Sequence, residues 1–279
     1  MVNIVIVARG GVVNAVRRSC RVHHDLNNLQ GAVVTLDIRQ RNLPGVTALR
    51  SSTDEAFYIA VVDGARINRV GIEAADSDIM KTVYLPEVSY DYAADMDGDG
   101  VFDGDIADTA DHRYGSSGID GVAFGPAFGR TDGPQYLTVG YGVYSNLERT
   151  DNDHQVLLQY DVSNWERYAR PLVESAPHRS GPSDLAGKYF VYTGNTRYGV
   201  QNIAYDADME RWFMGVYQGE KPQFPNYQLF AVEAATRPVM SDLVGVPSPA
   251  GAARGRDHRR VATAGFLVCD WCRAGVRAA

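Results

Sequence analysis

Short stretches in which apolar and polar residues alternate recur through the middle of the chain. The stretches 66–72 and 228–233 place every second side chain on the same face, as in a β-strand with one buried face. Stronger apolar stretches at 57–64, 136–144 and 212–217 each begin with an aromatic residue and run into a turn that contains Gly. This pattern predicts an all-β protein with at least eight strands between residues 45 and 237 and no helix longer than about three turns.

The predicted strands fall into three segments of similar layout, at 45–73, 118–162 and 199–233. Each segment opens with Gly before a short strand, continues with a strand that starts at an aromatic residue, and closes with a third strand near an acidic residue. The segments are far apart for units of four strands, so we expect long insertions between strands. The two clearest insertions are an Asp-rich loop and residues 145–153.

This layout resembles that of β-propeller proteins, in which similar units are blades around a central channel. The resemblance covers residues 45–237 and rests on the strand order and on turns such as that at 205–212; no WD, kelch or Asp-box consensus is present. It implies a partial propeller of about three blade units, fewer than the four to eight of a closed ring. A β-sandwich with similar hairpins is the alternative fold.

The two ends of the chain differ from this middle region. Residues 1–44 fit the repeat poorly, although 31–37 reads as a strand, and residues 238–279 are rich in Ala and Arg. We therefore expect three parts: a poorly fitting segment at 1–44, a propeller-like repeat region at 45–237 and a low-order tail at 238–279. The tail reads either as a native flexible tail or as out-of-frame translation of a gene whose other blades are lost.

The charge of the chain is concentrated in one loop. The formal net charge is −7, but residues 91–111 hold eight of the 34 acidic residues and no Lys or Arg. The rest of the chain is close to neutral and has no concentrated basic face, which argues against nucleic-acid binding. No apolar stretch approaches the roughly 18 residues of a membrane-spanning helix, so we expect no membrane span.

The acidic loop has the ligand spacing of a calcium site. Asp95, Asp97 and Asp99 match positions 1, 3 and 5 of a loop similar to that of an EF-hand, Gly100 stands at the sharp turn, and position 12 is Ile106 where that family has Glu. We predict Ca²⁺ as a structural cofactor; a solvated acidic loop without metal is the alternative. The predicted ligands are Asp95, Asp97, Asp99, the carbonyl of Val101, Asp103 and Asp105.

Polar and aromatic loops supply a candidate ligand site. We expect loops 151–154, 192–198 and 218–225 to cluster on one rim, because propellers carry their binding sites there. The candidate ligand-binding residues are Asp153, His154, Arg197 and Tyr198. No catalytic motif assigns a reaction, and convergence of acid–base groups would be the sign of an enzyme. The groups to examine are Asp120, Asp153, His154, Arg197 and Glu220.

These observations lead to one functional expectation with two alternatives. We expect a calcium-stabilised extracytoplasmic binding or scaffold propeller that recognises carbohydrate or another protein, secreted by or on the surface of a bacterium. The opening residues 1–8 are apolar but too short for a signal peptide. The alternatives are a propeller hydrolase or lyase acting on a glycan or phosphoester, and a structural fragment without activity.

Overall fold

In a computed structural model, the chain folds into two compact units. The first unit consists of residues 1–94 and 162–184, and the second of residues 95–161 and 185–279. The structure describes residues 7–8, 11–12, 22–23, 32–38, 56–62, 80–114, 119–141, 143–171, 176–194, 197–246, 261–263 and 266–267.

The first unit contains an antiparallel sheet whose four strands follow chain order. Its elements are β1 (Val7–Ala8), β2 (Gly11–Val12), β3 (Val22–His23), β4 (Ala32–Ile38), β5 (Ala56–Val62), β6 (Met80–Tyr84) and α1 (Pro86–Tyr92). Strands β3 to β6 form the sheet, and among the described strands β1 and β2 form a separate antiparallel pair. Helix α1 begins at a proline. Proline suits the first helical turn because backbone N–H groups there have no acceptor within the helix, so the N–H that proline lacks is not needed. A 3₁₀ turn at Trp165–Arg167 also belongs to this unit.

The second unit contains two sheets. Its strands are β7 (Ile119–Gly125), β8 (Tyr136–Tyr141), β9 (His154–Tyr160), β10 (Gly187–Tyr192), β11 (Arg197–Asp206), β12 (Arg211–Tyr217), β13 (Leu229–Glu233), β14 (Val239–Ser241), β15 (Val261–Thr263) and β16 (Phe266–Leu267). The first sheet has the order β14-β15-β10-β9-β8-β7, and the second has the order β11-β12-β13-β16. Strand β15 runs parallel to β10, and the other strand pairs that the structure describes in this unit are antiparallel.

The prediction of an all-β protein is confirmed. In the described part of residues 45–237 there are nine strands, β5 to β13, and the strand expected at 31–37 is found as β4. The strand predicted at 66–72 lies outside the described residues. Among the described residues the longest helix is α1, with seven residues, and no described helix is long and apolar enough to cross a membrane. The choice between propeller and sandwich, and the division into three parts, stay predictions. Residues 238–279 contribute β14, β15 and β16.

The core of the second unit lies between its two sheets. Strand β11 packs against β7 and β8, and Trp212, Met214 and Val232 are fully buried in the resulting cluster. Glycines allow this close approach: a Cβ atom on Gly121 would lie 2.9 Å from Val200 Cγ1, and one on Gly125 would lie 2.5 Å from the Trp212 ring. The packing of the two sheets therefore depends on positions that tolerate no side chain.

Candidate functional site

Three carboxylates of the acidic loop come together as the loop spacing predicts. One oxygen each of Asp95, Asp97 and Asp99 lies within 4.8 Å of the other two, and all three residues are exposed. Because Ca²⁺ binds oxygens at about 2.3–2.6 Å, two ligands on opposite sides of one ion are roughly 5 Å apart. The three carboxylates are thus close enough to share a single cation.

Backbone hydrogen bonds hold these carboxylates in place. Asp95 accepts from the N–H groups of Gly98 at 2.7 Å and Gly100 at 2.9 Å, one with each carboxylate oxygen. Asp97 accepts from Asp99 N–H at 3.2 Å. Gly98 and Gly100 have φ of 76° and 83°, in the left-handed region that glycine adopts without strain. Ionised carboxylates have about four acceptor sites, so these bonds leave capacity for a cation.

The close approach of the carboxylates has an electrostatic cost. The hydrogen bond from Asp99 N–H lowers the pKa of Asp97, but desolvation and the negative charges of Asp99, Asp111 and Asp95 together outweigh it. The pKa of Asp97 consequently lies above its ordinary value. A bound cation would remove this repulsion, because an opposite charge favours the ionised carboxylate.

The remaining predicted ligands are arranged differently. The carboxylates of Asp103 and Asp105 do not belong to the group of mutually close oxygens, and Val101 is exposed. The second half of the loop is organised instead by buried Asp111, which accepts from the N–H groups of Met96 at 2.5 Å and Asp103 at 3.1 Å. Asp111 therefore joins the two ends of the loop, a role that its place at the end of the acidic run does not reveal.

The acidic loop is attached to the insertion at 145–153. Asn146 Nδ2 donates to Asp108 Oδ1 at 2.8 Å. Arg149 donates to the carbonyls of Thr109 at 2.6 Å and Ala110 at 2.9 Å, and it pairs with both carboxylate oxygens of Asp151 at 2.8 Å. Arg149 thus connects the loop that carries the aspartates to the strand that begins at His154.

A buried lysine joins the same insertion to the loop at 218–226. Lys221 is 1% exposed, and its ammonium group donates to Asn152 Oδ1 at 2.8 Å, to Asp153 Oδ1 at 2.7 Å and to the Arg149 carbonyl. The Asp153 carbonyl accepts from the N–H groups of residues 193 and 194, both at 3.1 Å. The loops expected to meet on one rim are therefore connected by hydrogen bonds.

The predicted ligand-binding residues have different environments. Asp153 and His154 are both buried, and the Asp153 carboxylate is bound by Lys221. Burial raises the pKa of Asp153, and the hydrogen bond and charge of Lys221 offset part of that rise. The side chains of Arg197 and Tyr198 lie outside the described residues, as does that of Asp120, while Glu220 is exposed.

Sequence reasoning overlooked the basic side chains that connect these loops. These side chains contact residues that are distant in the chain, so local spacing in the sequence does not predict their contacts. They are Lys221, Arg149 and Arg113. The one available signal is the rarity of lysine, since Lys221 is one of only three in the chain and stands in a loop beside proline.

No protein-family model, curated protein or solved structure matches this chain.

Proposed function

We propose that this chain is a calcium-stabilised binding or scaffold protein of the propeller type, working outside the cytoplasm, with carbohydrate or another protein as its partner. The observation that carries the proposal is the cluster of Asp95, Asp97 and Asp99. Asp103 and Asp105, whose carboxylates stand outside this cluster, would have to move toward the ion to complete the ligand set with the Val101 carbonyl and water.

The donor set favours Ca²⁺ over other cations. It consists of carboxylate oxygens alone, which suits a hard cation, and no described Cys or His belongs to the cluster. Ca²⁺ accepts six to eight oxygens in flexible geometry, whereas Mg²⁺ requires a tight octahedron and gives up its water reluctantly. Because the three carboxylates are exposed, we expect affinity at the weak end for calcium modules, about 10⁻⁴–10⁻³ M.

The strand order supports the propeller as the proposed architecture. Strands β3 to β6 form a four-stranded antiparallel meander in chain order, and β7 to β10 form another within the six-stranded sheet that β15 and β14 extend. Strands β11 to β13 form a third meander, which β16 extends. A propeller blade is a four-stranded sheet of this kind. Strands β7 to β9 and β11 to β13 also correspond to the second and third segments of the predicted repeat.

The buried pair of Lys221 and Asp153 supports binding or scaffolding over catalysis. A catalytic carboxylate must reach a substrate proton, within about 2.6–3.2 Å or through one water. Asp153 is instead held by an ammonium group that is itself buried and uses three acceptors. The Lys221–Asp153 pair stabilises the loops that it connects, and the exposed parts of those loops would bind the partner.

Thermal unfolding tests the calcium proposal. We expect 5 mM Ca²⁺ to raise the melting temperature, EGTA to reverse the rise, and Mg²⁺ to do much less. Asp97→Asn should abolish the response, whereas Asp132→Asn should keep it, because Asp132 is an exposed carboxylate outside the cluster. An equal response in the two variants would show that general screening, rather than the loop, produces the effect. Glycan and protein arrays probed with and without Ca²⁺ would then identify the partner.

A further inference from the structure

We propose that Arg113 and His154 form a buried binding site for a small monovalent anion such as chloride. The first half of the site is Arg113, which lies on the 3₁₀ turn at Asp111–Tyr114. The side chain of Arg113 is 1% exposed. Its guanidinium lies over the Tyr114 ring at 4.9 Å. Within the described residues, Nε and Nη2 of Arg113 have no hydrogen-bond partner.

The carboxylate that forms an ion pair with Arg113, that of Asp151, is hydrogen-bonded to Arg149 instead. Asp151 Oδ2 lies 3.9 Å from Arg113 Nε, which is too long for a hydrogen bond. Both oxygens of Asp151 accept from Arg149 at 2.8 Å, so two guanidinium groups share one carboxylate. Burial raises the pKa of Asp151, but the hydrogen bonds of Arg149 and the charges of both arginines outweigh it and lower the pKa. Within the group formed by Arg113, Arg149 and Asp151, the positive charges therefore exceed the negative charge by one.

The second half of the site is His154, at the start of β9. It is 1% exposed, and neither ring nitrogen has a hydrogen-bond partner among the described residues. Its ring packs against Tyr192 at 4.9 Å and Phe190 at 6.5 Å between ring centroids. Burial, and then the charge of Arg113, lower the pKa of His154 to about 4. The ring is therefore neutral at pH 7 and offers one N–H donor.

The sheet register places the two halves in the same region. His154 and Val156 share a face of β9, because side chains alternate along a strand, and Val156 pairs with Tyr141 of β8. The Tyr141 ring packs against Tyr114, the residue next to Arg113, at 6.3 Å. The 3₁₀ turn that carries Arg113 thus lies over the His154 face of the sheet.

The chemistry of these groups selects the ligand. Arg113 offers unused N–H donors and His154 offers one more, and buried donors without acceptors are costly. The excess of one positive charge calls for a monovalent anion, and the aromatic rings packed around the two side chains call for a small one. Ordered water would satisfy the donors but would leave the charge uncompensated.

The test compares anions at constant ionic strength in EGTA, so that it is independent of the calcium site. We expect the melting temperature to rise by several degrees when 100 mM sodium gluconate is replaced by sodium chloride or bromide, because only the small anions bind. Arg113→Met should remove this difference. Arg130→Met should keep it, because Arg130 is an exposed arginine paired only with Asp132 among the described carboxylates. Should Arg113→Met fail to fold, His154→Leu should weaken the response instead.

Bromide-soaked crystals give the direct readout. An anomalous peak within hydrogen-bond distance of both Arg113 and His154 would support the proposal. Equal melting temperatures in chloride and gluconate, or ordered water between the two side chains without a bromide peak, would overturn it.

Discussion

Gly125→Ala tests how closely the two sheets of the second unit pack. A Cβ atom at this position would lie 2.5 Å from Cη2 and Cζ2 of Trp212 and 3.0 Å from Tyr205 Cβ. Carbon atoms that are not bonded prefer about 3.5–4.0 Å, so the indole ring would have to retreat by roughly 1 Å. Trp212 is fully buried and packs against Phe128 at 5.2 Å and Tyr205 at 5.1 Å, so it has little room to move.

We expect Gly125→Ala to lower the free energy of unfolding by about 1–3 kcal/mol, the usual cost of adding volume to a packed core. Gly215→Ala is the matched control. A Cβ atom there meets only Asn202 Cβ at 3.5 Å, an ordinary contact. This second substitution should be neutral or should stabilise by about 0.4–1 kcal/mol, because alanine restricts the unfolded chain more than glycine does.

Urea unfolding at equilibrium measures both variants, and a double-mutant cycle identifies the contact. Trp212→Phe removes the ring atoms that the new methyl group would meet, so the Gly125→Ala/Trp212→Phe pair should lose less stability than the sum of the single changes. Equal stability of Gly125→Ala and Gly215→Ala, or full additivity in the cycle, would refute the proposed sheet packing.

Three further predictions concern the polar groups. In EGTA, Asp97→Asn should raise the melting temperature, because it relieves repulsion from the neighbouring carboxylates; a fall would contradict the crowding inferred from the raised pKa of Asp97. Lys221→Met should cost about 3–5 kcal/mol in urea unfolding, because it leaves Asp153 buried and unpaired, and adding Asp153→Asn should recover part of that loss. In chloride-free buffer, wild-type protein should lose about 3 kcal/mol more stability than His154→Leu between pH 6.5 and pH 4. The reason is that unfolded His binds a proton below its ordinary pKa, whereas folded His154 does so only near pH 4. Parallel pH profiles of the two proteins would contradict this burial effect.

The strands were predictable because their signals are local. Aromatic starts identified β8 and β12 and alternation identified β13, and the predicted limits differ from the observed ones by a few residues at most. Pairing across the chain has no comparable signal. Strand β10, outside the three predicted segments, adds a fourth strand beside β9, and β16 extends the second sheet. Those partners depend on tertiary packing that a single sequence does not display.

In the candidate site, as in the sheets, local features were predictable and contacts between distant residues were not. The aspartates at alternate positions bring their own oxygens together, because the spacing of ligands within one short loop is a local property. The groups that hold that loop, Asp111 and Arg149, act through contacts with residues well separated in the chain. Burial of His154 was likewise not evident, since its position at the end of a polar loop suggested exposure.

Calorimetric titration of the folded protein with Ca²⁺ tests the central claim most directly. We expect one ion per chain, a Kd of about 10⁻⁴–10⁻³ M, and loss of the binding heat in Asp97→Asn but not in Asp132→Asn. At a free Ca²⁺ concentration one hundred times Kd, binding should stabilise the folded state by about 2.7 kcal/mol. No binding heat at several millimolar Ca²⁺, with the protein shown to be folded, would contradict the claim and leave residues 95–105 as a solvated acidic loop.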